Sequence, residues 1–385
     1  MSSIEPTADS LESGDGDSSP GGRPRIARYF EAMIRAGGSD LHFKADAPPR
    51  VRHRGGLKVL THKALSNEKI ERMVFEIMSD VHKEWFAKKG SSDFSYQLDA
   101  DNRFRINIFR QRGATSMAAR HIPKEIKNYN ELHLPPQMET IAQKHQGLIL
   151  VAGITGSGKS TTIAAMIDQI NRTRTAHIIT LEDPIEFMYE DKKSFINQRE
   201  IGQDVNDFHD ALKYLMREDP DVVLIGELRD PETFEAALRA AESGHLVFGT
   251  VHASNAAGTI TRVLELFPEH SRDLIRTSLE FNLQAIVCLK LLKGIRPDIP
   301  RIPAVEVMIA NATVRKLIRE KRENEILGVI RNSYHEGMQD FTESLRVLVE
   351  KEFIATQTAY EVAPNPEELK MRLKGISVSA GGIIG

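Results

Sequence analysis

The middle of the chain carries a glycine-rich stretch whose spacing fits a loop that binds nucleotide phosphates. Gly153, Gly158, Lys159 and Ser160 match the pattern GxxxxGK[ST]. Glycines let backbone N–H groups approach a phosphate closely, the lysine neutralises the β and γ phosphates, and the serine hydroxyl is a ligand for Mg²⁺. The stretch therefore predicts nucleotide binding, with an ordinary glycine turn before a helix as the alternative. The residues expected to contact the nucleotide here are Gly153, Thr155, Gly156, Ser157, Gly158, Lys159, Ser160 and Thr161.

Acidic residues follow two short apolar segments that read as buried strands. Glu182, Asp183 and Glu186 come after the segment 177–181, and Glu227 comes after the segment 222–225. In open parallel sheets, ligands bind beyond the carboxyl ends of the strands, so these carboxylates are expected near the phosphates. A carboxylate in that position can hold the water shell of Mg²⁺ or orient the attacking water. The alternative is an acidic residue that serves solubility alone.

Two histidines bracket a further apolar segment, 246–251. His245 precedes it, His252 follows it, and Arg262 lies ten residues beyond His252. Such residues could sense a γ-phosphate or a neighbouring subunit. A single histidine at a strand end is more often a packing or capping residue, and the pattern alone leaves both interpretations open.

These residues need a particular order of elements to position them. The run 148–152 is apolar throughout and predicts a strand buried on both faces, followed by the glycine loop and a helix. Beyond it, strands and helices alternate, which indicates a parallel sheet covered on both sides. Further strands are predicted at 285–292 and 302–309, and the pattern turns helical from Ala312 onward.

The segment before this core reads as a smaller α/β sheet domain. Along one of its strands Phe104, Ile106 and Ile108 are expected to face the core, and Arg103 and Arg105 to face outward. Two arginines on one strand face could clamp a phosphate. They could equally belong to a solvated sheet edge.

Composition limits the classes of function. The chain has 385 residues and a formal net charge of -3, which argues against a dedicated nucleic-acid binder. Its one cysteine, Cys288, excludes an internal disulfide and a CxxC zinc framework, which fits a reducing compartment. No apolar run approaches the length of a membrane span, and the first residues lack the pattern of a signal peptide. The expectation is a cytoplasmic protein whose membrane association, if any, is peripheral.

Four motifs together resemble the PilT family, the retraction ATPases of type IV pili within the larger group of secretion ATPases. GITGSGKSTT is similar to the family's phosphate loop, TLEDPIEF to its aspartate box, DVVLIGELRDPET to its Walker B segment and GHLVFGTVHASNAAGTITRVLELFP to its histidine box. The segments SDLHF and DNRFRINIFRQRG resemble its PAS-like domain, and ATVRKLIRE resembles a box linked with retraction.

The resemblance implies an α/β fold in two domains, and the first residues, which are rich in Ser, Gly, Asp and Pro, predict a disordered tail before them. The expected organisation is a disordered tail at 1–24, a PAS-like α/β domain at 25–122, a linker at 123–146, a RecA-like P-loop ATPase core at 147–310 and a helical C-terminal extension at 311–385. It further implies a homohexameric motor that hydrolyses ATP with Mg²⁺ and powers pilus retraction and twitching motility. The implied partners are a PilC-like inner-membrane platform protein and other pilus ATPases, with no nucleic acid. The motor would be cytoplasmic, peripheral to the inner membrane at the pilus base.

The resemblance also implies roles for individual residues. Lys159 and Ser160 would bind phosphate and Mg²⁺, Glu186 would act as general base or position the water, and Glu227 would be the Walker B carboxylate and a metal ligand. The residues that would couple the phosphate state to the ring are His245, His252 and Arg262. The arginines that would reach the nucleotide from the N-terminal domain are Arg103, Arg105 and Arg112.

The chain departs from the usual patterns at a few positions. Gly226 stands where many Walker B strands carry Asp, although this is the habit of the family itself. In ATVRKLIRE, Thr313 and Lys316 replace the Ile and Asn of the family.

Four alternatives stay open. The first is an assembly ATPase for pilus extension or type II secretion, against which the missing tetracysteine zinc site counts. The second is an accessory paralogue that supports another retraction motor. A nucleic-acid translocase is disfavoured by the acidic balance of the chain, and a scaffold that binds ATP without hydrolysing it is disfavoured by the intact set of site residues.

Overall fold

The computed structural model describes residues 22–53, 56–122 and 124–376. These residues form two compact units. The first runs to Glu125 and includes Glu186–Met188; the second comprises Ile126–Ile185 and the chain from Tyr189 onward. Most of the tail expected at 1–24, and the last nine residues of the extension expected at 311–385, lie outside the described residues. Within the described ranges, every helix is too short or too polar to cross a membrane.

The first unit is a six-stranded antiparallel sheet with three helices. The strands run in the order β3-β2-β1-β6-β5-β4. Its elements are α1 (Ala27–Arg35), β1 (Asp40–Lys44), β2 (Arg50–His53), β3 (Gly56–Val59), α2 (Asn67–Phe75), α3 (Asp80–Lys89), β4 (Ser91–Gln97), β5 (Arg103–Gln111) and β6 (Ala114–Ile122).

One face of this sheet forms the core of the first unit. Phe104, Ile106 and Ile108 are fully buried, as the alternation in β5 predicts. Phe30 of α1 stacks on Phe104 with 4.0 Å between the ring centroids. The amphipathic helix α1 therefore packs on the sheet through its aromatic side chains.

The expectation for Arg103 is wrong in one respect. Arg105 is exposed, but Arg103 is buried, and its guanidinium donates to Ser95 Oγ at 2.6 Å and to Gln97 Oε1 at 3.4 Å. The strand β5 is not an edge, because β4 lies outside it in the sheet. Neighbouring polar side chains on β4 therefore cover Arg103, which pattern along a single strand does not reveal.

The second unit is built on a seven-stranded sheet in the order β13-β12-β7-β11-β10-β8-β9. All neighbours are parallel except β12 and β13. Its strands are β7 (Gly147–Ala152), β8 (His177–Glu182), β9 (Phe195–Glu200), β10 (Val222–Ile225), β11 (Leu246–Val251), β12 (Leu283–Lys293) and β13 (Arg301–Ile309). Its helices are α4 (Gln137–Ala142), α5 (Lys159–Thr173), α6 (Phe208–Leu215), α7 (Pro231–Glu242), α8 (Ala256–Glu265), α9 (Glu269–Asn282), α10 (Ala312–Arg319), α11 (Ile326–Asn332), α12 (Phe341–Glu350), α13 (Thr356–Val362) and α14 (Pro366–Leu373).

Strand β7 shows why its sequence is apolar throughout. Leu148 and Leu150 belong to one hydrophobic cluster, whereas Ile149 and Val151 belong to another. The sheet thus has a hydrophobic cluster on each face, and the strand has no solvent face to favour polar residues. The predicted parallel sheet, covered on both sides, is present.

The outer edge of β13 is closed by the C-terminal helices and their loops. The Val305 N–H donates to Ser344 Oγ at 2.9 Å, and the Gln339 side chain donates to the Val305 carbonyl at 2.9 Å. Val307 and Gln339 exchange two backbone hydrogen bonds, of 2.7 and 3.0 Å. The C-terminal region therefore satisfies backbone groups on this edge that would otherwise need water.

A buried cluster of charges joins these helices to one another. Arg331 donates to Asp340 Oδ2 at 2.9 Å and to Glu368 Oε2 at 2.8 Å. The Tyr334 hydroxyl donates to Asp340 Oδ1 at 2.9 Å, and Arg372 donates to Glu368 Oε1 at 3.0 Å. The side chain of Asp340 is only 1% exposed, so it depends on these donors.

We expect Arg331→Ala to lower the free energy of unfolding by about 3–5 kcal/mol, because it leaves the buried Asp340 without its charged partner. Thermal unfolding followed by circular dichroism measures this. The matched control is Lys316→Ala, which removes an exposed ion pair to Glu320 and is expected to cost less than about 1 kcal/mol. Equal effects of the two variants would contradict the assigned importance of the buried cluster.

Candidate nucleotide-binding site

The glycine loop joins the end of β7 to the start of α5, as the sequence predicts. Gly153, Gly156 and Gly158 have φ angles of 152°, 77° and 99°, which side chains disfavour. At Gly153 space is also short, because an added Cβ would lie 2.3 Å from Ser157 Oγ and 2.8 Å from the Leu289 carbonyl. A glycine is therefore required at the first position of the loop.

The loop is closed by its own lysine. Lys159 Nζ donates to the carbonyl oxygens of Gly153 and Ile154 at 2.8 and 3.1 Å. Thr155 and Gly156 at the tip are exposed. The hydroxyl of Ser157 is buried and has no hydrogen-bond partner within the described part of the chain. The turn of the loop thus encloses the ammonium group of Lys159 and the hydroxyl of Ser157.

The helix α5 begins at Lys159 and turns its amide end toward this loop. Among the described residues, no side-chain cap hydrogen bond is present at its N-cap, Gly158, and the first turn carries Ser160 and Thr161. Free N–H groups and the positive end of the helix dipole attract anions. The arrangement of loop, lysine and helix end can therefore bind the phosphate groups of a nucleotide.

Three strands place further groups at the same edge of the sheet. Ala152 pairs with Val251 of β11, and Ile225 of β10 pairs with Gly249 of β11 and with Leu181 of β8. Because these strands are parallel and nearly in register, their carboxyl ends lie together. Glu182, Glu227 and His252 are thereby brought to the edge that carries the phosphate loop.

Glu227 lies between the side chains of Arg229 and His252. Arg229 donates to Glu227 Oε2 at 2.6 Å, and His252 Nε2 lies 3.2 Å from Glu227 Oε1. Burial alone raises the pKa of Glu227, but the hydrogen bond and charge of Arg229 outweigh it, helped by the charges of His252 and Lys159. The net pKa is below the usual value, so Glu227 is ionised at neutral pH. Arg229 follows Glu227 by two residues, and the sequence analysis gave it no role.

Glu182 has a different environment from Glu227. It is buried, and its Oε1 accepts from Thr180 Oγ1 at 2.8 Å and from Gln198 Nε2 at 3.2 Å. These donors are neutral and come from β8 itself and from the edge strand β9. Glu182 therefore ties the ends of two strands together.

Close packing of the backbone explains why a glycine occupies position 226. An added Cβ would lie 3.1 Å from the Leu181 carbonyl and 3.3 Å from the Cα of Glu182, and both are backbone atoms. The Gly226 N–H donates to the Leu181 carbonyl at 2.8 Å, and its own carbonyl accepts from Thr250 Oγ1 at 2.6 Å. The backbone at the end of β10 packs too closely on β8 for a side chain.

The structure does not bring His245 to this edge. His245 precedes β11, and its Nδ1 lies 3.0 Å from the Ala240 carbonyl at the end of α7. A strand of six residues spans roughly 20 Å, which separates His245 from His252. Arg262 is exposed on α8 and pairs with Glu265 at 3.5 Å.

The remaining candidate residues belong to the first unit. Glu186 is exposed and lies in the segment Glu186–Met188, which groups with that unit. Arg105 is exposed on β5, and Arg112 is exposed with a φ of 53° in the tight turn between β5 and β6. Across the described ranges, no group of three or more His, Cys, Asp or Glu side chains is arranged to hold a metal ion.

Behind the site, a buried carboxylate supports the start of α8. Glu306 of β13 accepts the N–H of Ala256 at 2.8 Å. Burial raises the pKa of Glu306 to about 7, and the charge of Asp340 adds to this, whereas the N–H of Ala256 and the charge of Lys290 oppose it. The folded chain therefore binds a proton at Glu306 more tightly than the unfolded chain does.

This difference makes stability depend on pH. The stability that protonated Glu306 contributes is fully present below the unfolded pKa of 4.5 and is lost as the pH rises through about 7. Glu306→Gln keeps an acceptor without the charge. We expect its free energy of unfolding, relative to the unsubstituted protein, to rise by about 3 kcal/mol between pH 4.5 and about pH 8. Thermal unfolding at several pH values measures this. Glu265→Gln, at an exposed position of α8, is the control, and parallel curves for all three proteins would contradict the prediction.

A parallel sheet with a phosphate loop after β7, and with acidic residues at neighbouring strand ends, defines a RecA-like P-loop nucleotide-binding protein. The model of the type II/IV secretion system protein family matches residues 22–324. The chain belongs to this family.

Two relatives and a solved structure agree with the family. The type IV pilus retraction ATPase PilT of Pseudomonas aeruginosa is 40% identical over 342 residues, covering 89% of this chain and 99% of the relative. A twitching motility protein of Neisseria gonorrhoeae is 41% identical over 321 residues, covering 83% of this chain and 86% of the relative.

The solved structure is that of the pilus retraction motor PilT with bound ADP. It has a TM-score of 0.83 and 41% identity, and the match covers 90% of this chain and 99% of that chain. The predicted resemblance to the PilT family and the predicted fold class are confirmed, and so is the enzyme class, a P-loop ATPase. The predicted domain boundaries and the roles of the individual residues stay predictions.

Proposed function

We propose that this protein is an ATP-hydrolysing motor that powers type IV pilus retraction and so supports twitching motility. The observation that carries the proposal is the 40% identity to a retraction ATPase over 99% of that relative's length. The phosphate loop, with Lys159 and Ser160 at the start of α5, supplies the part that such a motor needs for nucleotide binding.

The residues of the loop have distinct tasks in this proposal. The backbone amides from Gly153 to Gly158 and the first turn of α5 cradle the phosphates. Lys159, which is held by loop carbonyls, moves its donors to the β and γ phosphates when these enter. Thr161 lies one position further along the helix and borders the same phosphates.

The oxygen donors near the loop suit Mg²⁺. The ligands that we assign to it are the hydroxyl of Ser160 and the carboxylate of Glu227, the latter through water because Arg229 and His252 already contact both of its oxygens. Bound Mg²⁺ would neutralise negative charge on the β and γ phosphates.

Hydrolysis needs a group that orients the attacking water. We assign this to Glu186 of the aspartate box, with Arg103, Arg105 and Arg112 as the arginines that neutralise charge from the N-terminal domain. His252 reports the phosphate state through its contact with Glu227. Arg262 and His245 would couple the phosphate state to the neighbouring subunits. His245 would do so along β11, at whose opposite end His252 lies.

The motor would work as a homohexamer. Binding and hydrolysis of ATP would change the conformation of the subunits in turn around the ring, and the distortion would displace a PilC-like platform protein of the inner membrane. The ring would stay cytoplasmic and reach the membrane only through such partners, with no nucleic acid involved.

We expect Lys159→Ala to reduce steady-state ATP turnover to background, because no other side chain of the loop supplies the same charge. The mass of the same samples is measured by light scattering, with a hexamer expected for both proteins. Lys144→Ala, at an exposed lysine before β7, is the matched control and is expected to retain turnover. Turnover that survives the loss of Lys159, or a monomeric mass, would contradict the proposed motor.

A deletion strain tests the direction of the stroke. We expect excess surface pili and loss of twitching, because assembled pilins would no longer return to the membrane. Loss of pili would instead indicate an assembly ATPase. Normal twitching would indicate an accessory paralogue.

A further inference from the structure

The segment Glu186–Met188 lies between two backbone positions that are both held by side chains of β9. Just before the segment, the Ile185 N–H donates to Glu200 Oε2 at 3.1 Å. Just after it, the Tyr189 N–H donates to Gln198 Oε1 at 2.9 Å. A three-residue segment that carries the proposed water-orienting carboxylate thus has both ends fixed by one strand.

The two side chains belong together on β9. Gln198 and Glu200 are two residues apart in a strand, so they project from the same face. We call this pair the β9 clip. Asn197 precedes Gln198 in the strand, so its side chain projects from the opposite face of β9. There its Oδ1 lies 2.8 Å from His177 Nε2.

The clip is anchored in the end of β8. Gln198 Nε2 donates to Glu182 Oε1 at 3.2 Å, and Glu182 Oε1 also accepts from Thr180 Oγ1. Because the amide group of Gln198 donates on one side and accepts on the other, its orientation is fixed. Glu200 is only 3% exposed. Neither side chain is free to change rotamer independently of the sheet.

The chain after the segment is tied to the helix that starts at the phosphate loop. Asn171 of α5 is fully buried, and its Nδ2 donates to the Glu190 carbonyl at 2.7 Å. Its Oδ1 accepts the Lys192 N–H at 3.0 Å. The chain that follows the segment is thus held by both β9 and α5 within the second unit.

We propose that Gln198 and Glu200 are positioning residues for Glu186. The proposal rests on the function assigned to Glu186 above. A carboxylate that orients water must be held to within a fraction of an ångström, and a loop can meet that requirement only when its ends are fixed. The β9 clip fixes both ends of the segment through hydrogen bonds to the backbone of Ile185 and Tyr189.

The test compares variants of the full-length protein in steady-state ATP turnover. Gln198→Met removes the acceptor for Tyr189 and the donor to Glu182 at similar volume. We expect kcat to fall by about 10- to 100-fold with KM changed by less than about 2-fold, because misplacement affects the chemical step rather than nucleotide binding. Glu200→Gln retains an acceptor and is expected to keep most of kcat, whereas Glu200→Met is expected to lose it. Asn197→Ala, on the other face of β9, is the control and should keep kcat.

A double-mutant comparison separates positioning from a general loss of structure. On a Glu186→Gln background, we expect Gln198→Met to lower kcat no further, because the group it positions is already gone. Hydrogen exchange of the peptide that spans Ile185 to Tyr189 should increase in Gln198→Met and remain unchanged in Asn197→Ala, while the rest of the chain exchanges normally.

The outcomes also distinguish this proposal from the proposed function. If Gln198→Met and Glu200→Met retain kcat while Lys159→Ala abolishes turnover, the β9 clip proposal is overturned and the ATPase assignment stands. An equal further loss of kcat on the Glu186→Gln background, or full turnover of Glu186→Gln itself, also overturns it. ATP turnover that is unaffected by Lys159→Ala would instead contradict the proposed function.

Discussion

The in-register parallel pairing of β7, β11, β10 and β8 is the constraint on which the site depends. Main-chain hydrogen bonds hold Ala152 against Val251, and Ile225 against Gly249 and Leu181. The carboxyl ends of these strands cannot separate without breaking the ladder. The phosphate loop, Glu227 and His252 are therefore positioned by strand pairing, before any contact among their own side chains is made.

Glu227 and Glu182 lie at the same edge of the sheet but have different hydrogen-bond partners. Burial raises the pKa of Glu227, but the hydrogen bond and charge of Arg229 outweigh it and keep Glu227 ionised, with His252 on its other side. Glu182 accepts from the neutral side chains of Thr180 and Gln198 and serves to join strands. Two acidic residues at equivalent strand ends thus differ in role because their neighbours differ.

Some of this could be predicted from the sequence, for reasons that particular residues illustrate. The run 148–152 predicts a strand because burial on both faces demands apolar residues, and the glycines of the loop are fixed by their φ angles. The strand β9 escaped prediction since its sequence, FINQRE, is polar at an edge and neither alternates nor forms an apolar run. Arg103, Arg229 and His245 contact residues that are near in sequence, but the pairing of β4 with β5 and the local turns bring these contacts about, and residue spacing alone does not encode them.

The closure of β13 by the C-terminal region has a consequence for how the chain can be divided. A nine-residue strand with open N–H and C=O groups is a template for pairing with another chain, and such edges promote aggregation. Here Gln339 and Ser344 occupy positions along that edge. The region after β13 therefore prevents another strand from pairing with this edge. A fragment that ends at Ile309 would expose the edge to pairing with other chains even though every residue of the phosphate loop is retained.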